Sequence, residues 1–230
     1  MRITLLLLII CCYSCNNERT LLLPEIENAE VTEVLDMSPA YIFYDETQPD
    51  STLLNRKNLI ITTNWLVNVD KRLTLRQAIP KIILMQEKKR NSELHKNEDA
   101  KNYFTCNDTK IENLGFLEFT DVSYIHESSS NFDKKSSSIK LQKAIIIEVN
   151  SLNEIKLFTD SSDNPQSKTT NSIELIVDLQ NIFQTGNSMI TPIILNFNKN
   201  ISFQDYISIK SELIKLKSEQ FKIENNEFIY

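Results

Sequence analysis

The chain has 230 residues, enough to bury a sizeable core in one large domain or two small ones. Its 25 basic and 31 acidic residues leave a net charge of −6, which argues against a nucleic-acid partner and against polybasic docking on a membrane. With two glycines in all, Gly115 and Gly186, neither a Gly-rich phosphate loop nor a Gly-x-Ser-x-Gly nucleophile elbow can be written.

The amino terminus opens with a single basic residue, Arg2, followed by an apolar run from Leu5 to Cys12. A spanning helix needs about 20 apolar residues, so this run has the length of a signal-peptide core instead. Ser14 stands directly before Cys15 at the end of the run, and polarity changes abruptly at Asn16. This pattern resembles the lipobox of bacterial lipoproteins. The resemblance implies a signal peptide over residues 1–14, diacylation of Cys15, and a lipid-anchored place in the cell envelope, with the membrane as first partner. An ordinary cleaved signal peptide and an uncleaved anchor are the alternatives.

Residues 15–56 read as a tether and N-terminal extension, because Asn16 to Tyr44 is acidic, shows little periodicity and contains Pro24 and Pro39. A first sheet-and-helix half is expected over residues 57–126. Leu59 to Val69 reads as one bent strand or two short ones. Thr74 with Gln77 three residues on predicts a capped helix running to Arg90 and kinked at Pro80. Tyr103 to Ile125 predicts two strands with a break at Asn113, Leu114 and Gly115. Residues 127–138, rich in Ser, read as a linker.

The second half, residues 139–230, opens with a predicted hairpin, Lys143 to Asn150 and Glu154 to Thr159, turning at Leu152 and Asn153. A polar loop from Asp160 to Thr170 is expected next. A helix capped by Asn171 would then present Ile173, Ile176, Val177, Ile182 and Phe183 on its apolar face and end at Gly186. Ile190 to Phe197, Ser202 to Ser218 and Phe221 to Tyr230 give strand, helix and strand. The start of that unit repeats an earlier one: Asn68 to Leu75 can be laid against Asn196 to Phe203, each a strand ending at an Asn/Asp-Lys turn before a hydroxyl cap. The expected fold class is therefore α+β, with two related sheet-and-helix halves, the second a β-β-α-β-α-β two-layer domain. Ile193 to Phe203 in particular resembles the periplasmic domain of the ExbD/TolR family of biopolymer-transport proteins. That likeness implies the fold and a preference for protein partners in the envelope. The family's proton-handling transmembrane Asp has no counterpart here.

Chemistry-bearing residues are sparse. His95 and His126 lie in or beside polar loops without a second ligand at metal spacing, so no metal or cofactor is expected. Cys106 reads as a buried inert thiol, and the acidic pairs Asp45/Glu46 and Glu98/Asp99 as solvated loops. Trp65, Tyr41, Phe43 and Tyr44 are candidates for an aromatic platform, with a core role the commoner fate of such residues. Trp65, Tyr41, Tyr44 and Tyr230 are the candidate partner-facing residues. The expectation is a non-enzymatic envelope lipoprotein that engages proteins or cell wall, with oligomeric state left open. The alternatives are a small-molecule or glycan-binding lipoprotein, and a hydrolase with an unrecognised site.

Overall fold

In the computed structural model, residues 19–91, 97–129, 144–159, 166–184, 190–216 and 221–230 are described. Cys15, His95, Gly186 and most of the Ser-rich stretch lie outside them. Twelve strands and three helices occur among the described residues. The fold is α+β, with two mixed six-stranded sheets and helices packed on them.

The first sheet contains β1 (Glu25–Ile26), β2 (Met37–Tyr44), β3 (Thr52–Asn55), β4 (Asn64–Val69), β5 (Asn102–Asp108) and β6 (Asn113–Glu118). β2 pairs antiparallel with β3 and parallel with β4, and β4 is parallel to β5. β6 is antiparallel to β5 on its other edge, while the short β1 pairs with the far end of β5. Where a tether was expected, residues 22–55 thus supply three strands. In β2 one face is buried, Ser38, Ala40 and Ile42, and the other is half-exposed, Pro39, Tyr41 and Phe43. That alternation is what holds the strand in register.

The second sheet runs β10 (Gln166–Thr170), β9 (Glu154–Thr159), β8 (Ile145–Ser151), β11 (Thr191–Phe197), β12 (Phe221–Ile229) and β7 (Ser123–Ile125). β10 replaces part of the expected polar loop. Its Gln-Ser-Lys-Thr-Thr sequence has no apolar alternation because it is an edge strand, where polar and Lys residues discourage pairing with other chains. The carboxyl-terminal β12 lies between β11 and β7, so it is an interior strand. Its Phe228 and Ile229 are buried.

The expected repeat extends to topology. The hairpin β2/β3 with β4 and β5 has the same order and the same strand directions as the hairpin β8/β9 with β11 and β12. Helix α1 (Leu75–Arg90) follows β4 as α3 (Phe203–Lys215) follows β11, while α2 (Leu175–Gln184) has no counterpart in the first half. Both turns are shaped alike. Asp70 Oδ1 accepts the backbone N–H of Arg72 at 3.0 Å, and Asn198 Oδ1 accepts that of Asn200 at 2.9 Å, the same side-chain turn. Gln77 Oε1 then takes the Thr74 N–H at 2.9 Å, and Ser202 Oγ takes the Asp205 N–H at 3.0 Å, so both helices are capped as their sequences imply.

The copies also meet here. Thr74 bridges Ser202, 128 positions away. The amides of Leu75 and Arg76 donate to the carbonyls of Ile201 and Lys199 at 3.1 and 2.8 Å. Those of Phe203 and Gln204 donate to Leu73 and Lys71 at 2.6 and 3.2 Å. Each bond has a mate at the same offset, which defines a local two-fold relation.

Most of the interior is one connected hydrophobic cluster drawing on both sheets and all three helices, with two small satellites around Leu66 and around Ile194. Phe104 of β5 stands at the junction. It stacks on Phe119 and meets Phe203 and Tyr206 of α3 edge-on, with centroids 5.2 and 6.3 Å away.

Several local expectations change. Helix α1 runs through Pro80 to Arg90 as expected, with the proline on the exposed side, where the freed carbonyl can meet water, while other details differ. Gly115 lies inside β6 and not at a break. The turn is at residues 109–112, organised by buried Asp108, whose Oδ1 accepts the N–H groups of Lys110 and Ile111. A Cβ at position 115 would lie 2.5 Å from Ala29 Cβ, so the glycine is needed for close approach of the β1–β2 connection. Helix α2 turns Leu175 and Leu179 into the core, packs Ile176, Ile182 and Phe183 against it as expected, and leaves Ile173 and Val177 exposed.

Residues 139–230 alone would lack β7, the Phe104 contacts and the carbonyls that receive the first amides of α3. Circular dichroism of this segment should show no cooperative thermal transition, and mixing with residues 19–138 should restore one. A cooperative melt of the isolated segment would mean that the shared core is dispensable.

Candidate functional site

The four residues expected to face a partner do not converge on one surface. Trp65 is buried on the inner face of β4, its indole N–H donating to the Ile60 carbonyl at 2.7 Å. Tyr41 points from the outer face of β2 and stacks on Phe43, with centroids 5.8 Å apart and planes 19° off parallel. Asn55 and Asn68 flank it in register. Tyr44 is half-buried under the Arg72 guanidinium, 4.7 Å from the ring centre, and donates to Glu46 at 2.9 Å. Tyr230 is half-buried in the second half and donates to Asn150 Oδ1 at 2.8 Å.

Cys106 is buried on β5, where burial and the neighbouring Asp108 push its thiol up to about 12. It is therefore a thiol, not a thiolate, at neutral pH. His126 is exposed after β7. Among the described residues no group of three or more His, Cys, Asp or Glu could hold a metal ion.

Two buried polar constellations went unanticipated. In the first, Glu227 of β12 has no exposed surface and accepts from both Tyr206, at 2.7 Å, and Lys210 of α3. The hydroxyls of Tyr206 and Tyr124 lie 3.1 Å apart, extending the network to β7. Burial, with the Glu227 carboxylate alongside, raises both phenols well above their usual range. The chain thus ties α3, β12 and β7 together by charge-assisted bonds in a dry setting. A Tyr and a Lys four apart on one helix stripe, with an acid directly before the apolar Phe228 and Ile229 of the terminal strand, are the signal that could have pointed to it.

In the second, Lys89 in the last turn of α1 is buried. Its ammonium donates to Asn102 Oδ1 at 2.8 Å and to the carbonyl oxygens of Ala100, Thr63 and Lys101 at 3.2 to 3.4 Å. It also stands 4.8 Å from the Trp65 ring centre. Burial pushes its ammonium down to about 8.

The most distinctive exposed feature is apolar. Leu35, Met37 and Ile60 are 72%, 52% and 56% exposed at the end of the first sheet where β2 and β4 begin. Between the first two, Asp36 has φ of 47°, a left-handed conformation that costs most residues with a Cβ about 1–2 kcal/mol and Asp less. The strain is held from beneath. Asn64 donates its side-chain amide to Leu35 O at 2.8 Å and its backbone N–H to Asp36 O at 2.9 Å. Ser38 Oγ accepts the Ile60 N–H at 3.0 Å and lies 2.7 Å from Thr63 Oγ1. An outlier kept in place under exposed apolar side chains has the form of a contact site and not of a core.

A cavity of about 200 Å³ opens beside β6 and the end of α3, floored by Ile26, Phe116 and Ile214. Charges on its rim are satisfied within the chain, Glu118 by Lys101 at 2.9 Å and Lys215 by Glu212 at 2.6 Å.

No family model, curated protein or solved structure matches the chain. No helix among the described residues is long and apolar enough to cross a membrane.

Replacing Glu227 by Leu should destabilise the fold by about 3–5 kcal/mol, because Lys210 is left as a buried unpaired charge. Adding Lys210→Met should recover most of that loss in denaturant titrations. Additive losses would show that the pair does not act as a unit. Lys89 gives a pH test. Its proton is held less tightly in the folded chain than in the unfolded one, whose ordinary value is 10.5. The burial penalty is therefore fully present below about pH 8 and fades as pH rises to 10.5. Relative to Lys89→Met, the wild-type melting temperature should climb across this window. A constant difference would place the Lys89 proton elsewhere.

Proposed function

We propose that this protein is a non-catalytic interaction module of the cell envelope, held to a membrane by lipid on Cys15 and engaging a protein partner. The observation that carries the reading is the strained apolar tip, Leu35, Met37 and Ile60 around a left-handed Asp36. Exposing these side chains costs hydration free energy that a partner surface would recover, about 1.5–3 kcal/mol for each large side chain fully buried. The sequence likeness to the ExbD/TolR periplasmic domain adds a preference for envelope proteins as partners, those of a biopolymer-transport complex among them. The cell wall is a second class of partner, favoured by one observation. The stacked, half-exposed Tyr41 and Phe43 on the outer face of β2 offer rings of the kind that sugars stack on.

A photo-crosslinking phenylalanine analogue at position 35 should give a discrete protein adduct in cells, and Met37→Ser with Ile60→Ser should abolish it while leaving the melting temperature within a few degrees. The same analogue at position 173, exposed just before α2, serves as the control surface. Equal adducts at 35 and 173, or none at 35, would sink the protein-partner reading. Sedimentation with purified cell wall that is lost in Tyr41→Ala would favour the second.

A further inference from the structure

The first described residue stands close in sequence to the one that would carry lipid. Arg19 is only four residues past Cys15, a span of at most about 14 Å fully extended. From Arg19 onward the backbone is fastened to the body. Arg19 pairs with Asp45 at 3.3 Å, in the turn after β2. Leu22 donates its N–H to Asp70 Oδ2 at 3.2 Å and accepts from the Lys71 N–H at 2.8 Å. Glu25 donates its N–H to Gln204 Oε1 at 2.8 Å. All of these contacts lie at the end of the first sheet where β2 and β4 finish.

We infer that the folded body lies directly against the bilayer that holds Cys15, with this end inward and the Leu35 tip outward. The inference rests on the lipidation reading. Three features of the inward end suit it. Four of its carboxylates are matched by cations, Asp45 by Arg19, Glu25 by Lys71 at 2.6 Å, Asp70 by Arg72 at 2.8 Å and Asp50 by Lys81 at 2.8 Å, and Glu46 accepts from the Tyr44 hydroxyl. A chain of net charge −6 can therefore approach an anionic lipid surface here without the repulsion its total charge would cause. Leu22, 39% exposed, adds an apolar contact beside the attachment point. The third feature is distance. β2 carries the chain eight residues from Met37 to Tyr44, about 23 Å, so the apolar tip is held away from the membrane by the length of a rigid strand. The partner of the inward end is thus a phospholipid headgroup surface, and the partner of the tip must come from the other side.

The test uses the full acylated chain in vesicles of phosphatidylethanolamine and phosphatidylglycerol that carry a headgroup-attached nitroxide quencher. Pro49→Cys and Glu33→Cys place single labelling sites at the two ends, both exposed, while buried Cys106 stays unreactive. A fluorophore at position 49 should lose most of its emission and one at position 33 should keep it. Inserting a Gly/Ser linker of about 20 residues between Asn17 and Glu18 should restore emission at 49. Equal quenching at both positions, or quenching at 33 alone, in a chain that incorporates alkyne fatty acid at Cys15 would overturn the orientation while leaving lipidation intact. Fatty-acid incorporation that is absent, or undiminished in Cys15→Ala, would overturn the lipidation reading and this inference with it.

Discussion

The first two amide groups of α1 and of α3 are satisfied by carbonyls of the opposite copy's turn. The opening N–H groups of a helix have no partner within it and must find one elsewhere. In most helices a local side chain and water serve. Here the local caps, Gln77 and Ser202, take one donor each, and the remaining donors cross between the repeats. Neither helix can be finished unless both turns are formed and abutted. This makes the meeting point of Thr74 and Ser202 the constraint on which the placement of both sheets depends, and the Phe104 cluster packs directly behind it.

Much of the frame was legible where side-chain chemistry is local. The caps at Thr74 and Ser202, the turn at Leu152 and Asn153, and the repeat linking Asn68 to Asn196 all depend on a few neighbouring residues. What failed was segments whose pattern is set by distant neighbours. β2 carries Ser, Pro and Ala among its first four residues, so little apolar alternation shows until β4 and β3 bury one face of it. β10 is polar because only one edge of it is paired. Gly115 resembles a turn residue, yet Ala29 from a remote segment is what demands it.

The candidate sites divide in the same way. Cys106 was legible as a buried thiol because free cysteine is among the residues most often buried. Trp65 was ambiguous, since nothing local reveals that Ile60 supplies its indole acceptor and Lys89 its facing cation. Lys89 lies in a run of basic residues and looks solvated, whereas its position at the helix end points it between two loops full of carbonyl oxygen. The apolar tip was hidden in the acidic stretch around Leu35. Only the observed φ of Asp36 separates a strained contact loop there from a tether.

The two-fold contact between the repeats has the form of an interface between two identical chains, yet both sides belong to one polypeptide. An interface of that kind forms at an effective concentration fixed by the intervening chain, so its occupancy does not fall when the protein is dilute. Freed from mass action, the two sides need not remain equal. One turn has kept a buried Asp70 clamped by Arg72, and the other carries a neutral Asn198. One sheet ends its turn contact in Leu22 near the amino terminus, the other in the terminal residue Tyr230. One polypeptide thus lets a symmetric contact carry asymmetric surroundings, with one copy holding the segment around Leu22 and the other taking Tyr230 into its turn.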